Sequence, residues 1–184
     1  MNLYNRLSNL ESTELLNKSK EDRLTLSFYK YFKIDNLIIF RNYLFSSFSK
    51  IGVLGRIYVA NEGINAQLSL PKKQLSSFET KLDEIEPMKG IRLNFAIKHN
   101  LKSFLKLKIK VRNQIVADGI SDKKFDPTNV GKHVKAIEFN NILSEKGTFC
   151  VDMRNHYESE IGKFIGAITP NVDSFKESIK FIDK

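Results

Sequence analysis

From Leu105 to Arg112 the chain alternates without a break: Leu105, Leu107, Ile109 and Val111 interleave with Lys106, Lys108, Lys110 and Arg112. A period of two sends successive side chains to opposite faces of an extended backbone, so the pattern predicts a strand beginning near Phe104. One face is aliphatic and the other carries four positive charges, spaced about 6.6–6.8 Å apart. Whatever the fold, this segment needs a core on one side and water or an anion on the other. Two readings fit the charged face. A phosphate backbone would relieve the repulsion by counterion release. A solvated outer face of an antiparallel sheet would also alternate. No acid lies between Lys102 and Arg112, and the first reading accounts for that better.

Upstream, the periods switch between two and 3.6. A short helix is expected near Asn9–Lys18, then an aromatic-rich strand from Leu24 to Phe32. Asp35 is placed to cap a helix running to about Phe48, with Leu37, Phe40, Leu44 and Phe48 on one face and Gly52 closing it. Strands follow at Gly55–Ala60 and Ile64–Leu70 around an Asn61-Glu62-Gly63 turn. Leu75, Phe78, Leu82 and Ile85 keep helical spacing, and Ile91–Ile97 reads as a fourth strand. The order β-α-β-β-α-β is that of an α+β, ferredoxin-like fold. Asn113-Gln114 is read as a turn toward Ile115-Val116-Ala117. The expected division is a basic domain over residues 1–118, a polar connector over 119–131 containing Asp126-Pro127, and a last segment over 132–184. That segment starts with a helix from Lys135 to Ser144.

Charge follows the same division. The net charge is +9; residues 1–100 carry 15 Lys/Arg against 10 Asp/Glu, residues 101–146 carry 10 against 5, and residues 147–184 carry 5 against 6. A basic N-terminal body suits a polyanion such as RNA, although lysine-rich surfaces also serve solubility alone. The apolar runs are too short to span a bilayer, and the N-terminus has no secretory h-region. A single cysteine forms no internal disulfide, and a reducing cytoplasm is the expected setting. No protein partner is implied.

Several residues are candidates for chemistry. Phe28, Tyr29, Tyr31 and Phe32 flank Lys30, which would let bases stack beside a phosphate-binding cation; alternation equally sends half of these rings into a core. Asn61-Glu62-Gly63-Ile64-Asn65 is either a ligand cradle or simply a hairpin turn. His99, His133 and His156 lack metal-ligand spacing, and no metal or flavin motif is visible.

Thr148 to Ala167 reads TFCVDMRNHYESEIGKFIGA. It resembles the first strand and loop of a rhodanese-like domain, with Phe149-Cys150-Val151 as the strand. Asp152 and Arg154 then stand at its carboxyl end, where open α/β sheets place their sites. They are candidates for supporting the rhodanese loop, with Arg154 expected to pair with Glu158 or Glu160. A structural role for both is the simpler reading. Cys150 is expected to be buried in the strand with a raised pKa, hence inert. Only 17 residues follow Ala167, so the rhodanese-like segment is read as incomplete, with the reactive cysteine loop beyond Lys184.

The stretches LTLSFYKYF, GRIYVANEGINAQLS, GIRLNFA, LKIKVRNQIVADGI, FDPTNVGKHV and VDMRNHYESEIGKF occur in this order along the chain. Together they resemble the bacterial tRNA uridine hydroxylases that contain a rhodanese domain. The resemblance implies an acylphosphatase-like (ferredoxin-like) domain followed by a rhodanese domain. It implies tRNA as partner and molecular oxygen as co-substrate, with no other cofactor evident, and a product hydroxylated at carbon 5 of the wobble uridine. The chain departs from the family pattern in having Lys163 where rhodanese-like domains commonly carry histidine. No catalytic residue carries over to a position present, so this chain alone is expected to bind tRNA without turning it over. A non-catalytic RNA-binding module and a rhodanese-type sulfurtransferase are the alternative readings.

Overall fold

Helix α1, Asn9–Ser19, precedes strand β1, Arg23–Tyr31, in the computed structural model, which describes residues 3–19, 21–97, 103–116, 118–120, 126 and 128–182. The chain divides into two compact units, residues 1–116 and 117–184. In the first unit, β1 pairs antiparallel with β3, Gly63–Pro71, from Arg23↔Pro71 to Tyr31↔Gly63. Between them in sequence come α2, Leu37–Lys50, and β2, Leu54–Ala60, which forms a hairpin with β3. After β3, a 3₁₀ turn at Lys72–Gln74 leads into α3, Leu75–Asp83. Strand β4, Asn94–Phe95, and strand β5, Leu107–Val111, complete a five-stranded sheet in the order β4-β1-β3-β2-β5. The first four strands have the order expected of the split βαβ arrangement. Strand β5 is the addition, pairing parallel with the outer edge of β2.

Alternation decides which face is dry. Leu26, Phe28, Ile57, Ala66, Leu68, Leu107 and Ile109 point to one side and are buried with Leu44 and Phe48 of α2 and Phe78 and Leu82 of α3. Phe48 and Phe78 pack tilted, 5.1 Å between centroids, and Phe28 meets Phe78 at 6.2 Å. Both helices present the apolar stripe that their spacing foretold. One end of the β1–β3 pair is tied to the loop after α2 by Arg23, whose guanidinium is buried. It donates to the Gly52 carbonyl at 2.7 Å and to the Ser69 carbonyl at 2.9 Å. Burial pulls its pKa below the ordinary arginine value, yet these oxygens hold it as the cation.

Three expectations shift here. The cap of α2 is Asn36, whose side chain accepts from the Ile39 N–H at 3.0 Å. Asp35 stands one residue too early and pairs with Lys33 at 3.0 Å. The fourth strand shrinks from Ile91–Ile97 to two residues because the Ile91 N–H is taken by the Met88 carbonyl of the preceding turn. The basic strand pairs at Leu107–Val111 as a parallel edge, not within an antiparallel sheet.

The second unit holds α4, Ala136–Ser144, α5, His156–Ile161, and α6, Phe175–Ile182. Phe149-Cys150-Val151 does not form the expected strand. A strand needs a ladder partner, and only Val151 finds one, in a single parallel bridge to Ile168. Much of the expected connector, including 121–125 and 127, lies outside the described residues, as does Ala117. No described helix is long and apolar enough to cross a membrane.

Candidate nucleic-acid interface

The polar side of the sheet is ordered in rows by register. Ser27, Gln67, Arg56 and Lys108 share one row across β1, β3, β2 and β5. Tyr29, Asn65, Tyr58 and Lys110 share the next. Neither row contains a carboxylate. Lys108, Lys110 and Arg112 are exposed, while Lys106 is half-buried with the Glu11 carboxylate of α1 near enough to feel its charge. Glu11 titrates below the usual range chiefly because the Ser8 N–H and hydroxyl donate to it, with Lys106 adding a smaller pull. Of the four candidate cations on β5, three thus face solvent and the fourth is partly neutralised.

Arg56, which the sequence reading passed over, lies directly beside Lys108. Its signal was there: in Gly55-Arg56-Ile57-Tyr58-Val59, Arg56 and Tyr58 occupy the polar phase of the alternation. Arg112 closes the group by placing its guanidinium over the Tyr58 ring, 5.4 Å from the centroid.

Lys30 is not part of this face. It pairs in register with Ile64 on the helix-covered side and is half-buried. Its neighbours divide by the same alternation. Phe28 enters the core and Phe32 packs edge-on against Phe40 at 6.0 Å, whereas Tyr29 is 57% exposed on the open face with Tyr31 beside it.

The Asn61–Asn65 turn is structural. Asn61 donates to the Ile34 carbonyl at 3.0 Å, Glu62 accepts the Ile115 N–H at 2.7 Å, and Asn65 donates to the Ile115 carbonyl at 3.0 Å. These polar atoms latch the chain segments that leave β1 and β5. Gly63, at φ 147°, is required because a Cβ there would run into the Lys30 carbonyl.

In the second unit, Asp152 and Arg154 hold each other. Arg154 donates Nε to Oδ1 at 2.9 Å and Nη2 to Oδ2 at 2.6 Å, and its Nη2 also donates to the Gly162 carbonyl at 2.7 Å. The expected partners of Arg154 are therefore replaced: Glu158 instead reaches back to the Asn155 N–H at 3.2 Å, at the start of α5. The Arg154 guanidinium draws the Asp152 pKa down to about 2. Cys150 is half-buried, not buried, on a cleft of about 520 Å³ that Phe139, Leu143, Met153 and Phe164 also line. It is not fully buried because its neighbours form no sheet, only the Val151–Ile168 bridge. His133 is exposed and His156 lies 2.6 Å from Asp173, while His99 is outside the described residues. Among the described residues no group of three or more His, Cys, Asp or Glu could hold a metal ion.

Comparison with known proteins agrees with the first unit. The family described as UPF0176 acylphosphatase-like domain matches residues 23–115. The tRNA uridine(34) hydroxylase of Leptospira interrogans is 46% identical over 180 residues, covering 96% of this chain and 49% of the relative. That of Photorhabdus laumondii is 45% identical over 98% of the chain and 51% of the relative. That of Yersinia enterocolitica is 47% identical over 96% and 51%. The chain spans about half the length of the curated relatives it matches.

Proposed function

The chain belongs to the family of the UPF0176 acylphosphatase-like domain, and on that premise we propose that it serves in the hydroxylation of uridine 34 of tRNA. The observation that carries the reading is similarity at 45–47% identity, along nearly the whole chain, to proteins named for that activity. The exposed Lys108, Lys110 and Arg112, joined by Arg56, support it as a surface for a phosphate backbone. Hydroxylation at carbon 5, with molecular oxygen as co-substrate, completes the proposal. An anticodon-loop base is unpaired or readily splayed, so presenting it to an enzyme costs little. Addition of a thiolate at carbon 6 would make carbon 5 nucleophilic, the usual benefit of covalent catalysis. Within this scheme we assign the described first unit to tRNA engagement and assign no catalytic residue to this chain. The rhodanese-like reading of residues 148–167 stands as part of the same proposal.

Mass spectrometry of tRNA tests the reaction. A strain lacking the gene should lose 5-hydroxyuridine at position 34, and the intact gene should restore it; unchanged modification in the deletion strain would overturn the reading. The surface is tested separately with the quadruple variant Lys106→Gln, Lys108→Gln, Lys110→Gln and Arg112→Gln. The slope of log K for tRNA against log salt should fall by about 2–3, mainly from the three exposed cations, since Lys106 is already partly neutralised by Glu11. Cognate and non-cognate tRNA should lose affinity alike, because phosphate contacts position without reading sequence. Replacing Lys18, Lys50, Lys72 and Lys89 should move the slope far less. Equal slopes would return β5 to an ordinary solvated face.

A further inference from the structure

The open face of the sheet carries a second kind of group that the charge pattern does not explain. Tyr29 stands on β1 and Tyr58 on β2, in one row, with β3 between them. Two inter-strand spacings separate their backbones by about 10 Å. Tyr29 is 57% exposed, although a ring of that size would normally be turned inward. Half-buried Tyr58 carries the Arg112 guanidinium over its ring at 5.4 Å, so that the planar group presented there is the guanidinium backed by the ring. One strand further out lies Lys110 in the same row, and Lys108 and Arg56 fill the neighbouring row about 6.6–6.8 Å along the strands. The face is therefore graded: cations at the β5 edge, flat rings toward the middle.

A ligand matching that gradient has a continuous line of negative charge on one side and flat π surfaces on the other. Resting on the reading that the substrate is RNA, we propose that Tyr29 and the Tyr58–Arg112 pair are a stacking platform for bases of an unpaired RNA segment whose phosphates run along β5. Duplex RNA fits poorly. Its base faces are already stacked on one another and its edges lie within grooves, so rings standing on an open sheet reach nothing planar. Unpaired bases can be splayed and laid on aromatic rings or guanidinium planes, and every base offers such a face. The platform also has a boundary. At the end of the face near Gly63, the segment after β5 crosses over, with Ile115 buried and latched to Glu62 and Asn65. At the other end Asn9 and residues 103–106 stand beside Arg56 and Lys108, so the bound segment lies across the two rows between these limits.

Stacking and charge separate cleanly by experiment. The chain has six tyrosines and no tryptophan, so intrinsic tyrosine fluorescence reports stacking directly. The full chain is titrated with a ten-nucleotide oligouridylate and with a duplex of the same length. The single strand should quench tyrosine emission and bind more tightly than the duplex. Tyr29→Leu and Tyr58→Leu should each weaken single-strand binding about five- to hundredfold. Their salt slopes should stay at the wild-type value, because no charge is removed. The Tyr29→Phe/Tyr58→Phe variant should bind within about twofold of wild type, since the ring remains. Tyr29→Leu keeps the test valid should Tyr58→Leu, at the less exposed position, fail to fold, as Tyr29 is more than half exposed. Wild-type affinity in the leucine variants, or equal affinity and quenching with duplex, would overturn the platform. Those results leave the hydroxylation reading standing if position 34 remains modified. Loss of that reading with oligouridylate stacking intact would leave the platform in place.

Discussion

The two units draw on similar residues and reach different states. In the first, alternating strands and two amphipathic helices enclose most of the large apolar side chains that their periods aim inward: Phe28, Phe48, Phe78, Ile57 and Leu68 are essentially inaccessible. In the second, Ile165, Ile161, Ile137 and Phe149 are mostly or wholly exposed, and no large aliphatic or aromatic side chain among the described residues is buried. Hydrophobic content does not separate the two. Pairing does: the first unit has strands in ladders to carry its apolar residues, and among its described residues the second has one bridge, Val151↔Ile168. An apolar residue stabilises only when a second layer takes its surface from water.

The largest expected effect tests that contrast directly. Phe78→Ala should destabilise the first unit by about 3–5 kcal/mol, because it opens a cavity between Phe28 and Phe48. Phe164→Ala, at a 55% exposed position against Phe139, should stay within about 0.5 kcal/mol. Urea unfolding followed by circular dichroism reads both, and equal costs would break the comparison.

A smaller loss is expected for Arg23→Met, about 1.5–3 kcal/mol, because the carbonyls of Gly52 and Ser69 lose a charged donor inside the fold. Hydrogen exchange should show the β1–β3 amides opening first. Protection unchanged there would mean that Arg23 is incidental to the β1–β3 pairing.

Asn36→Ala should cost about 1 kcal/mol by removing the cap on the Ile39 N–H. Asp35→Ala should cost clearly less, since Asp35 only pairs with Lys33 at the surface. Thermal melts of the two single variants rank them, and the reverse ranking would restore Asp35 as the cap.

The last effect is local to the second unit and depends on pH. Asp152 titrates at about 2 when folded, below the ordinary value of about 3.9. A depressed carboxyl contributes fully above its unfolded pKa and loses that contribution as pH falls through the folded one. The Asp152–Arg154 tie should therefore be intact above about pH 4 and released toward pH 2. The Arg154 Nε–H resonance followed by NMR should report this, and Asp152→Asn should abolish the dependence. The sheet amides of the first unit should not follow this transition; if they did, the two units would not be separate.

How much was legible depends on the range of the interaction. The helical faces of α2 and α3, and the hairpin at Asn61–Gly63, were readable because each is set by residues within a few positions of one another. Capping was nearly so: Asn36 and Asp35 are both good caps by composition, and only the backbone at Asn36, φ −122° and ψ 91°, decides between them. In the second unit, the Asn155-x-x-Glu158 capping box that opens α5 went unread, Glu158 being taken as a partner for Arg154, while the apolar run at Phe149 announced a strand that no neighbour completes.

The sequence by itself determined which side chains share a face: Lys106, Lys108, Lys110 and Arg112 on one side of β5, Tyr29 and Tyr31 opposite Phe28 and Lys30 on β1. Period two requires this wherever the strands lie. Tertiary structure alone decided which faces meet. The parallel seating of β5 on β2 brings Arg56 beside Lys108 and Arg112 over Tyr58, and it leaves Lys30 on the other side of the sheet. Strand neighbours are chosen by closing one core among segments far apart in the chain, and no local pattern encodes that choice.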